Sequence, residues 1–303
     1  MAAWLSLAAV QFAFATSPAV GRMALEGYSP YAMSFWRVTG AAVFFALLVL
    51  WREGRLPWPE RGVRWRVAWL SLLGISLNQM LYLVGLSLST AVRGGLLVLL
   101  IPILTTLWAV LRGAEQWDTR KALGVLSATA GVFALTGVDL LSGVGLGDLF
   151  FLANSTCYSI YLVEARPLLR RYSSLQVVTW VFWAALPVLA LVPLCGVPLI
   201  PSDKGLETHA ALLWIVLVPT IWSYLGNIIA LRYVAASVAA IAICVQPVIA
   251  ALLAVWLLDE QVHLRECVCF VLILAGVLLA LMPKRHVGAP ITPANPEPEV
   301  NRR

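Results

Sequence analysis

Residues 86–136 read LSLSTAVRGG LLVLLIPILT TLWAVLRGAE QWDTRKALGV LSATAGVFAL T, and the fold turns on their being written a second time at 231–281, as LRYVAASVAA IAICVQPVIA ALLAVWLLDE QVHLRECVCF VLILAGVLLA L. At one offset of 145, without a gap, Leu86 falls on Leu231, Ala91 on Ala236, Pro102 on Pro247, Leu107 on Leu252, Glu115-Gln116 on Glu260-Gln261, Arg120 on Arg265 and Ala130-Gly131-Val132 on Ala275-Gly276-Val277. Apolar helices share residues by chance because their alphabet is small. A proline, a Glu-Gln pair and an Ala-Gly-Val run kept at one spacing are harder to obtain that way, so we read a duplication.

Working outward, the 303 residues are 61% hydrophobic and only 12% charged, with a mean hydropathy of +0.88. A soluble domain would carry about 25% charge. Apolar runs near the roughly 20 residues that cross a bilayer recur down the chain, without the alternation of a transmembrane barrel. They mark an all-α integral membrane protein with the lipid bilayer as its solvent. Breaking the runs at Gly, Pro and charge clusters gives ten spans at 3–21, 31–51, 67–88, 91–111, 119–138, 147–165, 173–194, 211–231, 236–257 and 264–282. The N-terminal run lacks the basic region of a cleaved signal peptide and reads as the first span.

The net charge of +6 does not imply nucleic acid, because the basic residues lie between spans. Arg52, Arg55, Arg61, Arg64 and Arg66 place the loop after span two in the cytoplasm. Alternation then puts Arg112, Arg120, Lys121, Arg166, Arg170, Arg171, Arg232, Lys284 and Arg285 on the same side, against Arg22, Arg93, Lys204 and Arg265 outside. Both termini are expected inside, with residues 283–303 a disordered cytoplasmic tail. The five cysteines lie in or beside apolar runs without a Cys-x-x-Cys pair and read as small buried hydrophobes.

A repeat of five spans, an odd number, enters the membrane upside down relative to its first copy. The expected organisation is therefore two inverted five-helix repeats, 1–138 and 139–282. Span two supports this against span seven at an offset of 144, with Tyr28-Ser29 on Tyr172-Ser173 and Trp36 on Trp180. Inverted repeats characterise secondary transporters with a binding site near the midplane.

Ser34-Phe35-Trp36-Arg37, the Pro102 and Pro247 helices with their apolar runs ending in Glu115 and Glu260, and the two Ala-Gly-Val runs carry a further likeness. To about Met282 the chain resembles the EamA-like branch of the drug/metabolite transporter superfamily, ten-span bacterial exporters in the cell inner membrane. The resemblance implies alternating access to a central cavity by small organic solutes, commonly amino acids or other metabolites, usually moved outward (efflux). Its motifs are diffuse and imply substrate poorly. One asymmetry stands out, since Val181 occupies the second-half position of Arg37.

Polar groups at membrane depth face a cavity or another helix. Asn78 and Tyr82 share a helical face in span three, and their mates at the 145 offset are Ser223 and Asn227 in span eight. Span six adds Asn154, Tyr158 and Tyr161, and span one adds Gln11 and Phe14. Aromatic rings with hydroxyl and amide neighbours suit an amphipathic small-molecule substrate; interhelical hydrogen bonding explains the same residues. Trp4, Trp51, Trp58, Trp65 and Trp69 fit interfacial anchors, whereas Trp36, Trp180, Trp183 and Trp222 lie deeper. Arg37 either grips a carboxylate or snorkels to the interface. Gln246 either meets substrate or satisfies backbone freed by Pro247.

Of the acids only Glu164 falls clearly within a span, beside Arg166, so no midplane proton carrier stands out. His209, His263 and His286 are scattered, and no paired acid, metal cluster or phosphate loop occurs. An enzyme and a cofactor are therefore not expected. A channel or a non-transporting membrane scaffold stays as the alternative, and a homodimer stays open.

Overall fold

The computed structural model describes residues 2–136, 145–201, 205–230 and 245–281. The tail at 283–303, the first part of the expected ninth span at 236–244 and the repeat junction at 138–139 lie outside the described residues. Among the described residues there are helices and no strands. In chain order the helices are α1 (Ala2–Ala15), α2 (Ser17–Leu25), α3 (Pro30–Glu53), α4 (Arg61–Leu88), α5 (Ala91–Leu111), α6 (Thr119–Thr136), α7 (Gly145–Glu164), α8 (Arg166–Arg171), α9 (Ser174–Leu194), α10 (Leu206–Gly226), α11 (Gln246–Leu258) and α12 (Leu264–Leu281). Five of them, α3, α4, α5, α9 and α10, are long and apolar enough to cross a membrane.

The boundaries differ from the apolar runs where polar residues join a helix end. The α4 helix starts at Arg61, ahead of the expected 67, because Arg61, Arg64 and Arg66 occupy its first turns outside the apolar part. The first run is two helices meeting at Thr16, where Pro18 lacks an amide donor and the Thr16 hydroxyl donates to the Ala13 carbonyl at 2.8 Å. The aligned serines of spans two and seven do the same work, since Ser29 and Ser173 are both N-caps. Ser29 accepts from the Ala32 amide, and Ser173 forms a capping box with Gln176. Large apolar side chains that a soluble protein would bury are exposed along the helices, among them Leu47, Phe133, Leu252, Trp256 and Val271.

Three helix pairs set the geometry. In α3 and α9, Phe45 meets Phe182 (5.5 Å between ring centroids), the Trp183 indole donates to the Ala42 carbonyl (3.1 Å), and Gln176 donates to Glu53 (3.2 Å). Rising numbers on one helix meet falling numbers on the other, so the pair is antiparallel. The helices α6 and α12 are also antiparallel and nearly touch backbone to backbone. A Cβ added at Gly276 would fall 2.5 Å from the Gly124 carbonyl oxygen, and one added at Gly124 would fall 2.6 Å from that of Gly276. In the aligned repeat Gly276 is the mate of Gly131, and Gly131 in turn packs on Cys269, the mate of Gly124.

The helices α5 and α7 run parallel, tied at both ends. Ser155 and Ser159 donate to the carbonyls of Leu97 and Ile101, each at 3.1 Å. Beyond one end, Glu164 holds Arg112 at 2.7 Å and Arg66 at 3.5 Å. At the other, Arg93 donates to Asp148 at 2.7 Å, Ser89 donates to the same carboxylate at 2.9 Å, and Glu266 of α12 lies 3.9 Å from the guanidinium. The Glu260 carboxylate accepts from the amides of Ala91 and Val92 at 2.8 and 3.0 Å, capping α5 from the far half of the chain. Arg93, Asp148 and Glu266 are all buried, although their places at span ends suggested loop charges.

Replacing Gly276 with Ala is expected to cost about 1–3 kcal/mol through overpacking, read as a lower unfolding temperature in detergent, while Gly62→Ala, with nothing within 4 Å, leaves it unchanged. Asp148→Asn strips Arg93 of its nearest counter-charge and is expected to cost toward the lower end of about 3–5 kcal/mol, because Glu266 remains.

Candidate functional site

Near the middle of α4 and of α10 the helical ladder widens into a π turn, at Leu72–Leu77 and at Val216–Trp222. Shifted by the sequence offset of 145, the first falls on 217–222, so the two distortions share one register under that alignment. π turns commonly mark functional positions because they free backbone groups and turn side chains out of the regular helical face. In α10 the cause is visible in the sequence, since Pro219 removes a donor and crowds the preceding turn. Hydroxyls fill the gap: Thr220 donates to the Ile215 carbonyl at 2.8 Å and Ser223 to that of Val218 at 2.9 Å, each five residues back. In α4 the Asn78 carbonyl accepts from the Asn154 side chain of α7 at 2.8 Å, and Gly74 leaves room for the Tyr161 ring to lie on the turn.

Arg37 of α3 lies against the π turn of α10 and is only 6% exposed. Its Nε donates to the Thr220 hydroxyl oxygen at 3.0 Å. Since that hydroxyl gives its own proton to Ile215, the guanidinium is held in a fixed orientation. Its Nη1 is buried without a hydrogen-bond partner among the described residues. The electrostatic neighbours of the guanidinium are Tyr224 of α10 and Tyr82 of α4. Tyr82 lies beside Ser17 of α2 and packs its ring against Phe151, 5.6 Å between centroids.

Aromatic rings from both parts of the chain cluster nearby. Tyr224 meets Phe14 edge-on at 6.2 Å and Phe182 at 5.3 Å, and the stacked pair Tyr158 and Tyr161, 5.7 Å apart, lies within electrostatic reach of it. Of the residues singled out in the sequence, Phe14, Arg37, Tyr82, Tyr158 and Tyr161 thus gather in one region, with Asn78 and Asn154 along its α4 flank. Gln11 and Gln246 hydrogen-bond each other where α1 meets α11. Ser223 is fully buried with its hydroxyl committed to its own helix, Trp222 is 45% exposed, and the Asn227 side chain lies outside the described residues.

Thr220, Tyr224 and Phe182 were missed. Tyr224 follows directly on Ser223, and Pro219 inside an apolar run announces that a neighbouring hydroxyl must replace a lost bond. Those two signals were present. Phe182 has none, since its role comes from a contact across the chain.

Comparison with known proteins gives one consistent result. The model of the EamA-like transporter family matches residues 1–137 and 145–282. An uncharacterized transporter of Archaeoglobus fulgidus is 24% identical over 272 residues, covering 88% of this chain and 92% of its own. The uncharacterized transporter YdfC of Bacillus subtilis is 25% identical over 245 residues, 78% and 76% of the two chains, and a WAT1-related protein of Arabidopsis thaliana is 27% identical over 166 residues, 48% and 46%. A solved crystal structure superposes with a TM-score of 0.66 over 92% of this chain and 96% of the other, at 20% identity, a likeness of fold.

Thr220→Val removes the acceptor that fixes Arg37 Nε and leaves a second guanidinium donor buried and unpaired. A loss of about 1–3 kcal/mol is expected, measured as thermal unfolding of the purified protein, whereas Thr220→Ser retains the bond and most of the stability.

Proposed function

The chain belongs to the EamA-like transporter family, and from that premise we propose that it is a secondary transporter that exports small amphipathic metabolites, amino acids among them, by alternating access at a site between two repeats. Its apolar helices and family make it a multi-pass membrane protein, and its relatives are transporters, not enzymes.

The observation that carries the reading is the coincidence of the two π turns under the repeat offset, on either side of one aromatic-walled site. Two copies of one distorted helix facing a common ligand position fit the midplane site of an inverted-repeat carrier. Three further features support repeats of 1–138 and 139–282. The helices related by the offset pack antiparallel, α3 on α9 and α6 on α12, as copies of opposite orientation must when a two-fold axis passes between them. Trp36 and Trp180, aligned in the two halves, each reach across the chain, donating to the carbonyls of Leu199 at 2.8 Å and Pro57 at 2.5 Å. The family's two matched stretches fall on the same two halves. The arginine-rich stretch at 52–66 favours both termini in the cytoplasm of an inner membrane.

Counterflow in proteoliposomes tests the reading. Labelled amino acids, nucleosides and other small metabolites are expected to show saturable exchange for one class, and Tyr82→Ala to reduce its rate at least several-fold with undiminished folded yield. Uptake that never saturates for any permeant solute would indicate a channel instead.

A further inference from the structure

We propose that Arg37 is the anchor for a carboxylate and that the transported solutes are monoanionic at that end, with an apolar or aromatic body lying against the tyrosine wall. The proposal rests on the carrier reading and names the substrate class of its site. Its starting point is a buried positive charge with no carboxylate beside it among the described residues. Among the described residues Arg37, 6% exposed, has no ion pair, and one of its guanidinium nitrogens, Nη1, is buried without a hydrogen bond. Arg93, the other deeply buried arginine described, has an aspartate at 2.7 Å and a glutamate at 3.9 Å. Among the described residues, counter-charges thus stand beside Arg93 and none stands beside Arg37.

Burying a cation without compensation is strongly unfavourable unless something supplies the missing charge. Snorkelling would relieve it, but the Thr220 bond holds the head group in place, between α3 and the π turn of α10. One positive charge asks for one negative charge. A carboxylate meets that need, whereas a phosphate dianion would call for a second cation, and no other lysine or arginine is described among the residues of this wall. The geometry of the remainder agrees. Phe14, Tyr224, Tyr158 and Tyr161 offer ring faces and edges for an apolar body. Tyr82, half-buried beside Arg37, adds a hydroxyl that can bond the second carboxylate oxygen. Arg37 also has no copy in the second half, where Val181 stands, so the carboxylate end of the solute is oriented by one repeat only.

The test is binding to the purified protein in detergent, read from the ligand-induced rise in unfolding temperature, using matched acid and amide pairs. L-phenylalanine is compared with L-phenylalaninamide, 3-phenylpropanoate with 3-phenylpropanamide, and L-leucine with L-leucinamide. The acids are expected to bind roughly 10- to 100-fold more tightly than the amides, the scale of a charge-assisted hydrogen bond, and Arg37→Gln to abolish the difference. Without ligand, Arg37→Met is expected to unfold at a higher temperature than the natural protein, because it removes an uncompensated charge; a purely structural arginine would give a lower one. Equal binding of acids and amides, selectivity retained in Arg37→Gln, or no stabilisation by any acid overturns the proposal. If nucleosides or amides exchange in proteoliposomes while acids do not bind, the anchor falls and the carrier stands; if nothing exchanges and nothing binds, both fall.

Discussion

Hydrocarbon offers no hydrogen bonds, so every backbone group in a spanning helix must be satisfied from within the protein. That constraint governs most of what distinguishes this chain from a bundle of featureless apolar rods. At several places where the helical ladder is interrupted, a short polar side chain has been set to repair it. Thr16 closes the break between α1 and α2, Thr220 and Ser223 close the π turn of α10, and Asn154 reaches from α7 to the Asn78 carbonyl just past the π turn of α4. The serines at 155 and 159 tie α7 to α5 by the same means. Irregular backbone is tolerated in a membrane where it is buried in protein, and the π turn of α10 is buried against Arg37.

Much of this organisation was legible in the sequence because it depends on local pattern. Apolar run length located the helices, the repeated Glu-Gln and Ala-Gly-Val marked equivalent ends of aligned stretches, and the aligned serines at 29 and 173 proved to be equivalent N-caps. Helix ends were less legible where charge and helix coexist. Arg61 to Arg66 form the first turns of α4 although a hydropathy count stops short of them.

What could not be read were properties created by contact between distant segments. Arg93, Asp148 and Glu266 each look like a loop charge at the end of an apolar run, and only the juxtaposition of α5, α7 and α12 makes them a buried cluster. The site divides in the same way. Tyr82, Tyr158, Tyr161, Phe14 and Arg37 are conspicuous as polar or aromatic residues at depth. Phe182 is not, since a phenylalanine in an apolar helix carries no sign of which ring it will meet.

A buried Arg37 with no counter-charge among the described residues has an electrical consequence. A membrane potential acts on any charge held at depth, with about 2.3 kcal/mol per 100 mV for a full crossing of one elementary charge and a fraction of that for a partial displacement. In the proposed carrier the empty site bears one positive charge, and a bound carboxylate cancels it. Voltage then acts on the empty protein and leaves the Arg37–carboxylate pair untouched. An inside-negative potential would bias the orientation of the unloaded site toward the cytoplasm, where the solute to be exported waits.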